Sequence, residues 1–345
     1  DGIGVRLAGK GPALSEYRSV WNGEIVKLPV TAGAMLTTRL LGARSKRQLR
    51  TWFANLRGTA RAAGDVSLGA WLDAHRVRPD LRKYVTAMAR LTTYSAAPET
   101  LPARIVLGQF SGGVDYLDGG WQSVVDELLR VCADSGVRLL SGEAATAAAA
   151  TGAGWTVATS RRELAATTVI AAAGGPANAI SLLGDDPAGW AERAGPVIRA
   201  GCLDVGGERG DVSFLLSADE PLYLALHSDA ARLAPPGQAL YSVMRYLGPD
   251  DTAPAAEYRV ALEAHAARAG LPAGPARDVD RFLARPTVAW GTPQAGVVRP
   301  TGTELAASGF LAAGDWVGGH LLADAALTSG AAAGALAARR VQVAA

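Results

Sequence analysis

The stretch most informative about chemistry is Phe310-Leu311-Ala312-Ala313-Gly314-Asp315-Trp316-Val317-Gly318-Gly319-His320-Leu321-Leu322-Ala323-Asp324-Ala325-Ala326-Leu327-Thr328-Ser329-Gly330. An apolar run of strand length ends on a glycine and a carboxylate, and a helical segment begins after a short loop. Ligands of α/β sheets settle at that edge, beyond the carboxyl ends of the strands. The first N–H groups of the helix, near Leu322 to Asp324, lack intrahelical partners and lie at the positive end of its dipole, so they can receive an electron-rich group. Gly314 allows backbone to approach a ligand, and Ser329, Gly330, Ala331, Ala332 and Gly334 leave little bulk between neighbouring elements. Other chemistries find few residues. His75, His227, His265 and His320 stand apart without HxxxH or HExxH spacing, so no metal site is expected. There is no GxSxG elbow, and Cys132 falls on the apolar stripe of a helix, so no nucleophile stands out. His320, in the loop beside Asp315, is the one titratable candidate, and no catalytic residue is assigned.

Several elements must position that stretch. Val124, Val125, Leu128, Leu129 and Cys132 follow Trp121 at helical spacing, behind Asp118 as an expected N-cap and two glycines. Val137 to Leu140 reads as a strand, Ala144 to Ala150 and Trp155 to Ser160 as a hairpin around Gly152-Ala153-Gly154, and Thr168 to Ala173 as a buried strand ending at Gly174-Gly175-Pro176. Val197 to Val205, Val212 to Leu216, Leu222 to His227 and Ala239 to Leu247 alternate as strands of an antiparallel sheet. A helix over Ala255 to Ala269 is closed by Gly270 and Pro272. Residues 1 to about 100 read as helical after an extended opening, with Leu49, Trp52, Phe53 and Leu56 on one buried face.

On these residues the sequence resembles the amine oxidase and phytoene desaturase superfamily of FAD-dependent oxidoreductases. Residues 310–330 look like its C-terminal flavin-binding motif, and Tyr116-Leu117-Asp118-Gly119-Gly120-Trp121, with its helix and following strand, resembles a second recurring block. The resemblance implies that Asp315 hydrogen-bonds the ribityl chain and that the backbone of Leu322 and Ala323 faces the N1/O2 edge of the flavin. It further implies that Ala145 lays backbone against the adenine and that the strand ending at Gly174 runs beneath the flavin. Gly314 and Trp316 complete the implied cofactor-binding set, and Trp290, Trp316 and Tyr116 are candidates to line the pocket. Arg299-Pro300 sits where the family approaches its last strand. The implied fold is an α/β, Rossmann-like FAD-binding domain plus an α+β substrate domain with a mainly antiparallel sheet. In sequence order these are a helical part of the substrate domain (1–101), a middle FAD-binding segment (102–176), the substrate-domain sheet and helix (177–295) and a C-terminal FAD-binding segment (296–345). The implied reaction is removal of hydride from an activated C–H, with desaturation or oxidation of a small or apolar organic substrate and dioxygen or a quinone as final acceptor. Amine oxidases of the superfamily carry a lysine near flavin N5, but Lys10, Lys27, Lys46 and Lys83 lie in no matching motif, which favours an isoprenoid-like substrate over an amine. The same architecture serves flavin-free isoprenoid or lipid carriers, the alternative reading.

The departure from that family is at the start. No G-x-G-x-x-G follows a strand, no acidic residue stands some twenty positions later, and no GGxxR turn occurs. Asp1-Gly2-Ile3 and Lys27-Leu28-Pro29 look like positions just after such a unit, so the first βαβ unit is expected to be missing and this chain alone to bind FAD poorly. An open edge and an exposed apolar strip are expected in its place. The bulk numbers agree with a globular protein: 345 residues, 49% hydrophobic, mean hydropathy +0.13. A net charge of +2 gives no global attraction to nucleic acid, and no nucleic-acid partner is expected. No transmembrane helix is expected, and two distant cysteines point to a reducing, cytoplasmic setting. Between Glu24 and Asp65 there is no acid, yet Lys27, Arg39, Arg44, Lys46, Arg47, Arg50, Arg57 and Arg61 fall there. That run reads either as a solvated face or, over 39–61, as a surface that rests on anionic membrane.

Overall fold

Alternating runs from the middle of the chain assemble into one large sheet around which the other layers are built. The computed structural model describes residues 4–13 and 16–344, so the expectation attached to Asp1-Gly2-Ile3 lies outside the described residues. After β1 (Gly9–Lys10), β2 (Tyr17–Trp21) and β3 (Glu24–Lys27) form a hairpin. Its turn, Asn22-Gly23, has positive φ at both residues, as a tight two-residue hairpin requires. Six helices follow: α1 (Ala32–Thr37), α2 (Ala43–Ala54), α3 (Leu56–Ala62), α4 (Leu68–Ala74), α5 (Pro79–Thr93) and α6 (Ala103–Gln109). Leu49 and Trp52 of α2 are buried as the spacing predicts, but Phe53 is not. It sits on the rim of that face and stacks on Phe110 instead, and Asn55 starts a new helix so that Leu56 leaves the stripe.

Then come β4 (Tyr116–Leu117) and α7 (Trp121–Asp134). The expected N-cap, Asp118, does not cap α7. Gly120, at φ +68, precedes the helix, and the Asp118 carboxylate accepts from the Arg232 N–H at 2.7 Å and its Nε at 2.9 Å. The apolar stripe of α7 is present but uncovered: no residue of the helix is buried, and Trp121 is 71% exposed. Val137 to Leu140 is not a strand. No neighbouring strand among the described residues takes up its N–H and C=O groups, and its Val and Leu side chains lie open to solvent. Trp121, Val125 and Leu129 of α7 and Val137, Leu139 and Leu140 of this segment thus leave apolar side chains exposed.

The hairpin forms as expected from β5 (Ala145–Thr151) and β6 (Gly154–Thr159), and β7 (Glu163–Ala166), too weakly patterned to read from sequence, extends it. Next are β8 (Val169–Ala171), α8 (Pro176–Leu183), α9 (Trp190–Arg193), β9 (Ile198–Gly207), β10 (Phe214–Ser217), β11 (Leu222–Leu226), β12 (Ala239–Leu247), α10 (Ala255–Arg268), β13 (Val279–Leu283), β14 (Thr287–Ala289), β15 (Phe310–Ala312) and α11 (Leu322–Ala344). The large sheet runs β13-β9-β12-β11-β10-β2-β3, with β14 also on β9; only β10 and β2 pair in parallel. One face carries Phe214, Tyr223 and Tyr246 against the core of α2 to α6, and the other packs Val205, Leu224 and Val243 against Leu262 and Ala266 of α10.

A smaller layer holds the C-terminal stretch. β15 and β8 pair in parallel, Phe310 with Val169 through Ala312 with Ala171. Period-2 alternation sends Phe310 and Ala312 toward Ala148, Trp155 and Trp190, and Leu311 and Ala313 toward Ala333 of α11. The molecule thus joins a parallel α/β layer to a mixed, mainly antiparallel sheet.

Candidate cofactor site

The end of β15 is fixed by backbone on both sides: Ala312 N–H donates to Gly302 O and Ala313 N–H to Ala171 O. Ser329, one of the small residues of α11, pins the next position, its Oγ accepting from Gly314 N–H at 3.0 Å and donating to Gly314 O at 3.1 Å. The chain therefore delivers Asp315 in a fixed place between strand and helix. Its Oδ2 accepts from Trp290 N–H at 3.1 Å, while Oδ1 is buried with no hydrogen-bond partner. Burial pushes the Asp315 pKa up; the Trp290 N–H and then the charge of Arg299 pull against it. Trp290 directly follows β14, which pairs with β9, so the large sheet itself presents that N–H to the small layer.

Arg299, 9% exposed, ties the loop together. Its Nη1 donates to His320 O at 2.6 Å and Gly318 O at 3.3 Å, and its Nη2 to Asp315 O at 2.5 Å and Gly291 O at 2.8 Å. Among the described residues the guanidinium makes no hydrogen bond to a carboxylate, and its Nε is buried without a partner. Burial lowers its pKa to about 10, against the opposing pull of Asp315. The loop it holds leads into α11 through Leu322, whose φ of +55 is unusual for a branched residue. Such backbone outliers persist only where surroundings impose them, and they gather at ligand sites.

The structure brings Gly174, Gly314, Asp315 and Trp316 together, and Leu322 and Ala323 open the helix that follows the same loop. Trp316 faces inward: it is 0% exposed, and its indole N–H donates to Gly174 O at 2.8 Å. Gly174 and Gly314 admit the two tryptophans, because a Cβ at Gly174 would lie 3.2 Å from Trp290 Nε1 and one at Gly314 would lie 2.7 Å from Trp316 Nε1. Ala145 stands apart on the exposed start of β5; Ala148, on the same strand, reaches the core beside β15. His320 contributes its carbonyl to Arg299 while its side chain is exposed. Trp290 is half-exposed over Gly174 and Gly175, and Tyr116 is half-buried with its hydroxyl 3.2 Å from that of Tyr223. Sequence reasoning missed the anchoring role of Arg299, a lone arginine whose partners are all backbone carbonyls. It also missed Tyr246, whose buried hydroxyl has no partner.

Neither a protein-family model nor a curated protein sequence matches the chain. Solved structures do. An oxidoreductase from Methanosarcina mazei superposes with a TM-score of 0.66 at 14% identity, covering 93% of this chain and 79% of that one. Cyclohexylamine oxidase from Brevibacterium oxydans gives 0.63 at 15% identity, covering 98% and 83%. Rab GDI from Plasmodium falciparum gives 0.53 at 10% identity, covering 97% and 76%. At such identities the likeness is one of architecture, and function must be argued from the site. The chain has the fold shared by these oxidoreductases and by Rab GDI, with Asp315 and Arg299 at the junction of its two layers.

Proposed function

We propose that this chain belongs to a flavin-dependent oxidoreductase of the amine oxidase and phytoene desaturase type, in which FAD takes hydride from a small or apolar organic substrate. The observation that carries the reading is the buried, unpartnered Oδ1 of Asp315, set at the end of a parallel strand and followed by the start of a 23-residue helix. A buried carboxylate oxygen demands a donor, and a ribityl hydroxyl is of the right chemistry. The N–H groups at Leu322 and Ala323 would meet the electron-rich edge of the isoalloxazine, Gly174 and Trp290 would lie against the ring system, and Ala145 would offer backbone to the adenine. When bound, FAD supplies the two-electron chemistry, so the protein needs few acid or base groups.

The finer assignments belong to the same proposal. A βαβ unit carrying the diphosphate turn would cover the apolar strip along α7 and Val137 to Leu140. The FAD-binding domain would comprise 102–176 and 296–345, and the substrate domain 1–101 and 177–295. Substrate would enter along the face of β12 and β9 toward the helices. There the Tyr116 and Tyr223 hydroxyls pair, Tyr246 offers an unpartnered one, and Ala200, opposite Tyr246, lies two residues along β9 from Ile198, the partner of Ala289 next to Trp290. Dioxygen or a quinone would reoxidise the cofactor. The likeness to Rab GDI supports a second reading, a flavin-free isoprenoid or lipid carrier, but a carrier has no use for a buried carboxylate oxygen left without a donor.

Flavin absorbance at 450 nm after incubation with FAD and desalting separates the two, measured on this chain and on a form extended upstream in its native frame. We expect the extended form to retain flavin and Asp315→Ala to weaken retention about tenfold or more, the worth of a hydrogen bond to a charged group. Absence of flavin from both forms would give the carrier reading the lead.

A further inference from the structure

The segment from Ile25 to Gly64 carries eight cations and no acid, in a chain whose net charge is only +2. The rest of the molecule is therefore net acidic, and the charge distribution is strongly lopsided. Arg39, Arg44, Arg47, Arg50, Arg57 and Arg61 are exposed, and Lys46 is half-exposed. Among the described residues none of these seven comes within 4.0 Å of a carboxylate. The nearby acids are otherwise engaged: Asp80 accepts from Gly42 N–H and Ser45 Oγ, Asp73 pairs with Arg82, and Asp65 lies against Arg104.

Apolar side chains stand among these cations. Lys46 Nζ donates to Leu36 O at 2.9 Å, which ties α1 to the flank of α2 that also bears Arg50 and Phe53. Leu36 is 69% exposed and Phe53 nearly half-exposed. On the outward side of α2, Arg47 and Arg50 point away from buried Leu49 and Trp52, while Arg57 and Arg61 sit one turn apart on α3. Unpaired cations interleaved with exposed apolar tips suit an anionic bilayer, whose phosphates take the charge while its acyl boundary takes Leu36 and Phe53. A nucleic acid would satisfy only the cations.

From this we infer that the α1–α3 face is a docking surface for anionic phospholipid membrane. The asymmetry of charge orients the encounter, since the acidic remainder is repelled by the same surface. The inference is independent of the flavin reading and holds for enzyme or carrier.

Vesicle sedimentation tests it, using phosphatidylcholine alone and phosphatidylcholine with about a third phosphatidylglycerol, chosen as an order-of-magnitude match to an anionic leaflet. The chain is expected to bind the anionic vesicles, to release with added salt, and to lose about a hundredfold in partitioning in R47Q/R50Q/R57Q, at roughly fivefold per cation. All three positions are exposed, so the variant should fold, which circular dichroism checks. A second variant, W121Q/V125Q/L129Q, controls for the other apolar strip and should bind as before. The inference is overturned by equal binding to neutral vesicles, by binding lost only in the second variant, or by tighter binding to double-stranded DNA than to vesicles at equal phosphate.

Discussion

Replacing Arg299 by methionine keeps most of its bulk and removes every donor. Four guanidinium-to-carbonyl hydrogen bonds disappear, to Gly291, Asp315, Gly318 and His320. At about 1.5 kcal/mol for each bond to a charged group, the gross loss is about 6 kcal/mol. Against it stands relief of a buried charge. Burial pulls the Arg299 pKa down to about 10, so at about 1.4 kcal/mol per pKa unit the folded state gives up about 3 kcal/mol to keep that charge. The net expectation for Arg299→Met is a loss of about 3 kcal/mol, concentrated where its partners lie. Urea unfolding followed by circular dichroism measures the total, and amide hydrogen exchange over residues 315–322 measures the local part. A loss under about 1 kcal/mol, or a gain, would refute the reasoning by showing that desolvation outweighs the four bonds.

Two further outcomes follow from burial. His265, 1% exposed on α10, has its pKa lowered to about 4 by burial, so below its unfolded value near 6.5 the unfolded chain takes up a proton that the folded one refuses. Its contribution is intact above pH 6.5 and about 3 kcal/mol is lost as pH falls to about 4; a pH series of urea midpoints in which His265→Gln shows the same acid loss as the parent would contradict this. The exposed stripe of α7 should contribute little to folding. W121Q/V125Q/L129Q is expected to raise solubility and slow aggregation in light scattering while leaving stability within about 1 kcal/mol; a large drop in Tm would mean the stripe is packed.

What could be read from the sequence was local. The alternation in Val197 to Val205 and Ala239 to Leu247 predicts strands because each face of the sheet must be buried, and both form. The run from Phe310 through Gly330 predicts strand, turn and helix by composition alone, and β15 and α11 follow. Misreadings arose wherever a distant residue decides. Asp118 has the right type for a cap but serves Arg232, more than a hundred residues away. Val137 to Leu140 has the right pattern for a strand but, among the described residues, lacks a neighbour to pair with. Trp316 looked like a pocket residue, yet an indole fits between two glycines that only the fold brings together. Arg299 was legible only as the approach to the last strand; its anchoring role gave no signal because its partners are backbone carbonyls, which sequence patterns do not mark.

At the junction two opposite charges stand near one another without pairing. Asp315 and Arg299 are opposite charges close enough to shift each other's pKa. A turn that served structure alone would let them neutralise one another, since buried charges are stable when paired with each other. Arg299 instead donates to four carbonyls, and its Nε and Asp315 Oδ1 remain two of the few buried polar side-chain atoms without partners among the described residues. The cation thereby ties the loop through four carbonyls while the carboxylate oxygen stays buried and unpartnered. Preorganisation of this kind has a cost in stability that folding alone does not require. It is accounted for if a hydroxyl-bearing group completes Asp315 on binding.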